Sequence, residues 1–539
     1  MDENGRSETL NTLLDSTAAR CPRRTAMLVT DSPRSHPGEE RAVTFAELQD
    51  LVLRAAAMYR SRGVRKGDCV ALILRNGLGF VTAYLGLSRL GAIAVPVNFM
   101  VQKAEELRYM LNDCSAKGVV TQREFLREIL KARKELPLLD VVWLTEPDRR
   151  VSKETEDFWG LLQAQEPEPR REDAASPQDT AAVLYTSGTT GKPKGVMLTH
   201  ANLVANCDAS VRVLGADEKD VSLCILPMFH TFAWTACVLI PLRLGVKSVV
   251  ASSIAPAKPW LTRMGRHRVT IFSAVPQVYA VLAKQACGLK KLLLRYWFFR
   301  GVRFCVSGAA PLPPKVASDF SGAMGREIIE GYGLTETSPV ATINPPRDIR
   351  RGTVGRAIEG VRLRVVDDDG RELPIGEEGE ICIAGHNIMK GYLNLPEATR
   401  QVLSADGWLR TGDIGVLDAD GYLSIRDRKK DMIIVKGLKV FSAQVEAVLL
   451  AHPDVQEAAV VGLPDETGDE VIKAFIVLRK EARADKAEFM RFIRENLDAY
   501  KRPRDVEFLD ELPKNALQKV LKRVLRQKEL ERRAVRRMS

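Results

Sequence analysis

None of the nine cysteines (21, 69, 114, 207, 224, 237, 287, 305 and 382) forms a CxxC pair, and their spacing shows no regularity. That argues against a zinc ribbon, a thioredoxin-type redox pair and a disulfide framework. Most stand in apolar runs such as "SLCIL" and "VRFCVSG" and read as small buried hydrophobes in a reducing compartment. Long hydrophobic runs are lacking too. The nearest to a span of roughly 18–20 residues, "ACVLIPLRLGVKSVVASSI", is broken by Pro241, Arg243 and Lys247. The opening "MDENGRSETLNTLLDS" is polar and mildly acidic, unlike a signal peptide. These absences predict a cytoplasmic protein. No internal repeat is evident. What is present, 45% hydrophobic and 28% charged residues over 539 positions, suits a globular chain of more than one domain with an ample core.

The net charge of +11 is unevenly placed. From Lys514 to Ser539 stand ten Lys/Arg against two Glu, with Val520, Leu521, Val524 and Leu525 on one helical stripe. This reads as a terminal amphipathic helix with a solvated basic face. It is also a candidate for peripheral contact with anionic membrane or an acidic ligand. No aromatic residue interleaves with the basic positions, so nucleic acid is not expected as a partner.

Short apolar segments alternate with helical patterns over most of the chain: "VALIL" (70–74), "AIAVPV" (92–97) and "DVVWLTE" each follow a helix-like stretch. That order implies parallel sheets covered by helices, an α/β fold. Around 354–425 the texture changes to short alternating segments, with "DDDG" and "DADG" as hairpin turns. After "DRKKD" (427–431) the chain returns to α/β. The predicted organisation is a large N-terminal domain over 1–427, with a β-rich subdomain at about 350–427, and a small mobile α+β domain over 428–539.

A Walker phosphate loop is missing as well. In "YTSGTTGKPKG" (185–195), Gly188 and Gly191 are separated by two residues where four are needed. Lys192 is followed by Pro193, where a hydroxyl is needed and which disfavours a helix. "AAVLY" before and "VMLTH" after read as buried strands, with a helix starting only near His200–Asn202. The loop therefore joins two strands. Thr186, Ser187, Thr189 and Thr190 offer hydroxyls, Gly188 permits close backbone approach, and Lys192 and Lys194 add charge: an anion-binding loop.

With "LPMFHTFAW", "SGAAPL", "GYGLTETSP", "GWLRTGDIG", "DRKKDMIIVKG" and "LPKNALQKVLKR" following in order, this stretch resembles the signature of the adenylate-forming (AMP-binding) enzyme superfamily. The resemblance spans roughly residues 10 to 530 and is nearest to medium- and long-chain fatty acyl-CoA synthetases. It implies ATP-dependent activation of a carboxylic acid to acyl-AMP with release of pyrophosphate, then transfer to CoA, with ATP, Mg²⁺ and CoA as cofactors. It assigns Tyr332 to adenine stacking against Gly308, Ala309 and Ala310. Thr335 falls to the α-phosphate, Glu336 to Mg²⁺, and Asp413 and Arg428 to ribose or phosphate. Lys430 marks the hinge, and Lys519 is the lysine of adenylation. His230 stands beside the reacting carboxylate. Lys436 and Gly437 would line the thiol tunnel after domain rotation.

Two departures stand out. Gln518 replaces the usual glycine before Lys519, and "GLKVFSAQVE" puts Lys439 where an amide and Ala443 where proline is common. Lys439 could meet CoA phosphates. Phe229, Phe232, Trp234, Val275, Val278, Tyr279 and Val340 would form the acyl pocket, with no charge suited to an amino-acid amine. A medium- or long-chain fatty acid fits, and an aryl acid is the neighbouring alternative. A ligase that passes acyl-AMP to a separate carrier protein is a further alternative, since no carrier domain follows the lysine motif. A catalytically weak binding protein is the remotest, resting on Gln518. Acyl chain length and dimerisation are left open.

Overall fold

The protein is described by a computed structural model covering residues 8–31, 39–101, 103–146, 154–167, 175–186, 192–435, 438–465, 470–480, 482, 485–514 and 520–538. It divides into two compact units, 1–362 with 383–409, and 363–382 with 410–539.

The first unit is α/β, built on two large sheets. In a nine-stranded sheet the strands Ile328–Gly333, Phe304–Ser307, Ile271–Ala274 and Ser222–Cys224 lie side by side and parallel. The eight-stranded sheet is parallel through Ile93–Pro96, Cys69–Ile73, Gly118–Thr121 and Val141–Leu144. These strands are buried on both faces and accordingly read as continuous apolar runs. The helix Leu78–Leu90 is buried along its length except at Arg89, which pairs with Asp15 at 2.7 Å. The helix predicted near His200 begins there: Thr199 caps it, with Asn202 completing a capping box.

The second unit holds most of a four-stranded sheet, Val361–Val366, Glu378–Gly385, Leu409–Leu417 and Leu423–Arg428. "DADG" makes the hairpin as expected: Asp418 N–H donates to Tyr422 O and Gly421 N–H to Asp418 O, with Gly421 at φ +80. Beyond it, Val455–Pro464, Glu470–Leu478 and Asp505–Phe508 form a three-stranded sheet, with Val460, Ile476, Phe489 and Ile493 in its core. The basic tail is a docked helix, Lys522–Met538. Leu525 and Glu529, one turn apart, face inward, and Glu529 pairs at 2.9 Å with the buried Lys473.

The boundary expected near Arg428 differs from the division by packing. Asp413 and Arg428 are cross-strand partners, and by packing the segment from Arg410 groups with the strands after it. Seven cysteines are buried; Cys21 is half-buried and Cys287 exposed. Among the described residues no helix is long and apolar enough to cross a membrane.

Candidate active site

Four adjacent parallel strands of the nine-stranded sheet deliver the predicted residues to one edge. Ser222–Cys224 leads into 226–234, Ile271–Ala274 into Val275, Phe304–Ser307 into Gly308–Ala310, and Ile328–Gly333 into Thr335 and Glu336. The region beyond the carboxyl ends of parallel strands is where an open α/β sheet binds ligands.

The anion loop connects two strands, as expected. Thr180–Thr186 and Lys194–Thr199 are antiparallel, with Thr186 opposite Lys194. Ser187, Gly188, Thr189 and Thr190 lie outside the described residues. At the loop's margins Tyr185 donates to Asp113 at 2.7 Å, and the Lys192 ammonium sits 5.4 Å from the Tyr109 ring centre.

Glu336 occupies the short turn Thr335–Thr337, and its Oε1 accepts the Tyr392 hydroxyl at 2.9 Å. The Lys194 ammonium stands 5.0 Å over the same tyrosine ring. One aromatic side chain therefore joins a candidate metal-ligating carboxylate to a candidate phosphate-binding lysine. Burial, and then the charge of Glu336, push the Tyr392 phenol above its ordinary range, so it stays protonated and remains a donor. Tyr392 is a candidate site residue that the sequence reading missed. It reaches Glu336 because Gly391–Tyr392 forms a strand against Val196 and Met197, nearly two hundred positions earlier.

The segment after Glu336 is held just as firmly. The wholly buried Asn206 donates to Val340 O at 2.6 Å and accepts from Val340 N–H at 3.2 Å. A Cβ on Gly333 would lie 1.7 Å from Pro339 O, so no other residue fits there. Tyr332 is half-buried at the end of its strand. Ala309 holds a left-handed φ of +69, a sparsely populated conformation for alanine.

His230 caps the helix Thr231–Trp234, its Nδ1 accepting Phe232 N–H at 3.3 Å. An accepting Nδ1 places the proton of a neutral imidazole on Nε2. The Phe232 ring stands 3.5 Å from where a Cβ on Gly308 would be. The other expected pocket residues divide. Phe232, Val278 and Val340 are half-buried. Val275 and Tyr279 are core residues, and the Tyr279 hydroxyl donates to Phe272 O (3.0 Å) and Val306 O (2.9 Å). Trp234 stacks on Tyr84 at 3.9 Å. Phe229 and Trp234 pack with Tyr84, Pro96, Leu184 and Met228 around an apolar seam too narrow to hold a water molecule. Beside Tyr332, burial pushes the Glu330 carboxyl up to about 7 while it accepts Leu312 N–H at 3.2 Å.

In the second unit, Asp413 is almost wholly buried and pairs with Arg428 at 3.2 Å. Burial, and then the charge of Arg428, hold the Lys430 ammonium below the ordinary lysine range. Lys439 is exposed and pairs with Asp368 at 3.4 Å. An exposed pair of this kind is worth about 0–1 kcal/mol, so Lys439 could exchange it for a phosphate at little cost. Ala443 has a structural reason: its N–H donates to Asp427 Oδ2 at 3.2 Å, which proline could not do. Lys436, Gly437, Gln518 and Lys519 lie outside the described residues.

The family model for AMP-binding enzymes matches residues 14–393, and that for their C-terminal domain matches 444–519. The chain belongs to the AMP-binding enzyme family. Relatives of this adenylate-forming enzyme include a long-chain-fatty-acid–CoA ligase of Bacillus subtilis, 34% identical and covering 97% of this chain and 95% of the relative. A 4-coumarate–CoA ligase 2 of Solanum tuberosum is 36% identical, covering 90% of this chain and 89% of the relative. Among solved structures, ATP-bound MatB from Rhodopseudomonas palustris is 30% identical with a TM-score of 0.86, over 97% of this chain and 99% of that one. The anthranilate CoA ligase AuaEII in complex with anthranoyl-AMP is 31% identical with a TM-score of 0.85, over 97% of both chains. ATP, Mg²⁺ and CoA are the cofactors of this family. The fixed carboxylate of Glu336, an oxygen donor beside a lysine, suits a hard cation bridging phosphates.

Proposed function

We propose that this adenylate-forming enzyme joins a hydrophobic carboxylic acid, a medium- or long-chain fatty acid, to CoA. The acid's carboxylate oxygen attacks the α-phosphorus of ATP, the α–β phosphoanhydride bond breaks, and pyrophosphate leaves with acyl-AMP formed. The CoA sulfur then attacks the acyl carbon and AMP leaves, giving the thioester. Glu336 would hold Mg²⁺, which would supply positive charge against the phosphates. Lys194 and the hydroxyls of Thr186, Ser187, Thr189, Thr190 and Thr335 hold the phosphates. His230, donating from Nε2, orients the acid. Tyr332 and the Gly308–Ala310 backbone hold adenine, and Asp413 with Arg428 anchors ribose. Lys519 neutralises the charge that develops between acid and α-phosphate. Rotation at Lys430 then exchanges it for the Lys436–Gly437 loop, with Lys439 near the CoA phosphates.

The observation that carries the reading is the chemistry at the sheet edge. Lys194 and the Glu336 carboxylate meet on Tyr392, and the segments that follow the parallel strands of the nine-stranded sheet carry the apolar Phe229, Phe232, Val278 and Val340, which supports a charged head and an apolar body in the substrate. An aryl acid is the second reading. The 4-coumarate–CoA ligase relative, as similar to this chain as the fatty-acid one, favours it.

Turnover with Mg²⁺-ATP and CoA, across acids from acetate through palmitate to benzoate and 4-coumarate, decides between them. AMP and acyl-CoA rising together for one chain-length class supports the fatty-acid reading, and turnover confined to the ring acids supports the aryl one. Acyl-AMP that accumulates despite CoA would point to a carrier protein as acceptor.

A further inference from the structure

Six of the thirteen large hydrophobic side chains exposed among the described residues fall within one stretch of seventeen positions: Val281, Leu289, Leu292, Leu293, Tyr296 and Trp297. Leu289 is 84% exposed, Tyr296 63% and Trp297 49%. A scatter of single exposed apolar residues is ordinary, whereas a cluster of this kind marks an interaction surface. The stretch runs from the end of the helix Pro276–Gln285 through a short helix, Gly288–Leu293, and the π-helical segment Leu294–Phe298 that continues it. It is seated firmly. Leu294 and Phe299 are buried, and the Phe299 ring meets Phe272 at 5.4 Å and Phe320 at 5.7 Å. Nothing in the core requires Leu289, Leu292 or Leu293, which point away from it.

Along the sequence that carries this face the charge has one sign. From Val221 to Ser318 the chain contains no Asp or Glu, yet it contains thirteen Lys and Arg. Arg243, Arg263 and Arg303 are neutralised by carboxylates from elsewhere. Among the described residues, Lys284, Lys290, Lys291, Arg295 and Arg300 make no such pair. Arg295 and Arg300 instead lie against the exposed rings, 5.4 Å over Tyr296 and 4.7 Å over Trp297.

We infer that the face formed by residues 281–300 docks this protein onto an anionic phospholipid bilayer, lying in the plane of the interface. Lys290 and Lys291 stand between Leu289 and Leu292 in one turn, so a protein partner covering the leucines would have to bury both ammonium groups. Protein interfaces deplete lysine at their centres for that reason. At a bilayer the leucines enter the acyl boundary, Tyr296 and Trp297 sit at headgroup level, and the lysines extend to lipid phosphates. The C-terminal helix is the weaker candidate. Its Leu525 is buried against the second unit, leaving a basic face with little apolar surface. Docking rests on this face alone and is independent of which acid the enzyme activates.

The test is co-sedimentation of the full chain with vesicles of phosphatidylcholine, with and without phosphatidylglycerol. Binding is expected to the mixed vesicles and to fall with salt. Lys290→Gln with Lys291→Gln should weaken it by about fivefold for each charge removed. Leu292→Gln with Trp297→Gln should weaken it by about tenfold or more. Arg533→Gln, Arg536→Gln and Arg537→Gln together should leave it nearly unchanged. All four patch substitutions are at surface positions, so unchanged melting curves and unchanged turnover with a soluble acid report intact folding. Three outcomes would overturn the inference: a full chain that stays in solution with both vesicles, a loss confined to the tail variant, or patch variants that convert a dimer to a monomer without vesicles. The last would assign the face to a second copy of this chain.

Discussion

Tyr392 shows how far a single side chain can organise this site. Its hydroxyl is spent on Glu336 and its ring carries Lys194, so it fixes both the proposed metal ligand and the proposed phosphate-binding lysine. Outer-shell partners of metal ligands typically contribute 10–100-fold to metal affinity or activity, by about that order. Tyr392→Phe keeps the ring and removes the donor. It should raise the Mg²⁺ concentration needed for half-maximal pyrophosphate release by about tenfold or more, with little change in the KM for CoA. Glu330 makes a second prediction, in stability. Burial raises its folded pKa to about 7 from an ordinary value of 4.5, so the folded state binds the proton more tightly than the unfolded one. Its contribution is full below the unfolded value and is lost as pH rises through about 7, by up to about 3 kcal/mol. Thermal melting of the ligand-free protein should therefore show Glu330→Gln more stable than the natural chain at alkaline pH, and the advantage should vanish at acid pH.

Elements were legible in the sequence where their signals were local. The strands around "VALIL", "AAVLY" and "VMLTH", the Thr199–Asn202 start of a helix and the Asp418–Gly421 turn follow from apolar runs, caps and turn chemistry within a few residues. What long-range pairing decides was not legible. Tyr392 needed the two-residue strand against Val196 and Met197, and Tyr279 needed the carbonyls of Phe272 and Val306 to become a framework residue. The Ala443 departure lies between these cases. It was visible as an oddity, but its use appears only when Asp427 is seen accepting its N–H beside Ser442 Oγ. Proline near a helix start is tolerated geometrically, so Ala443→Pro tests the hydrogen bond alone. It should lower stability in urea unfolding by about 1.5–3 kcal/mol, in the transition that belongs to the second unit.

At the scale of the whole molecule the order of motifs was enough to name the family, because seven segments in fixed order between residues 185 and 523 leave little room for coincidence. The partition into units was less legible. The strands that carry Asp413 and Arg428 pair with each other, so they belong by packing with the chain after them, whereas composition changes only near "DRKKD". The substrate is least legible of all, since apolar pocket walls discriminate weakly between one hydrophobic acid and another. The central claim concerns two half-reactions sharing one adenylate. It is tested most directly by acid-dependent exchange of labelled pyrophosphate into ATP, in the natural chain and in Lys519→Ala, alongside conversion of preformed acyl-AMP to acyl-CoA. The account predicts exchange only when an acid is present. It predicts loss by roughly two orders of magnitude or more in Lys519→Ala, with conversion of preformed acyl-AMP retained. Exchange without an acid, or exchange undiminished in Lys519→Ala, would contradict it.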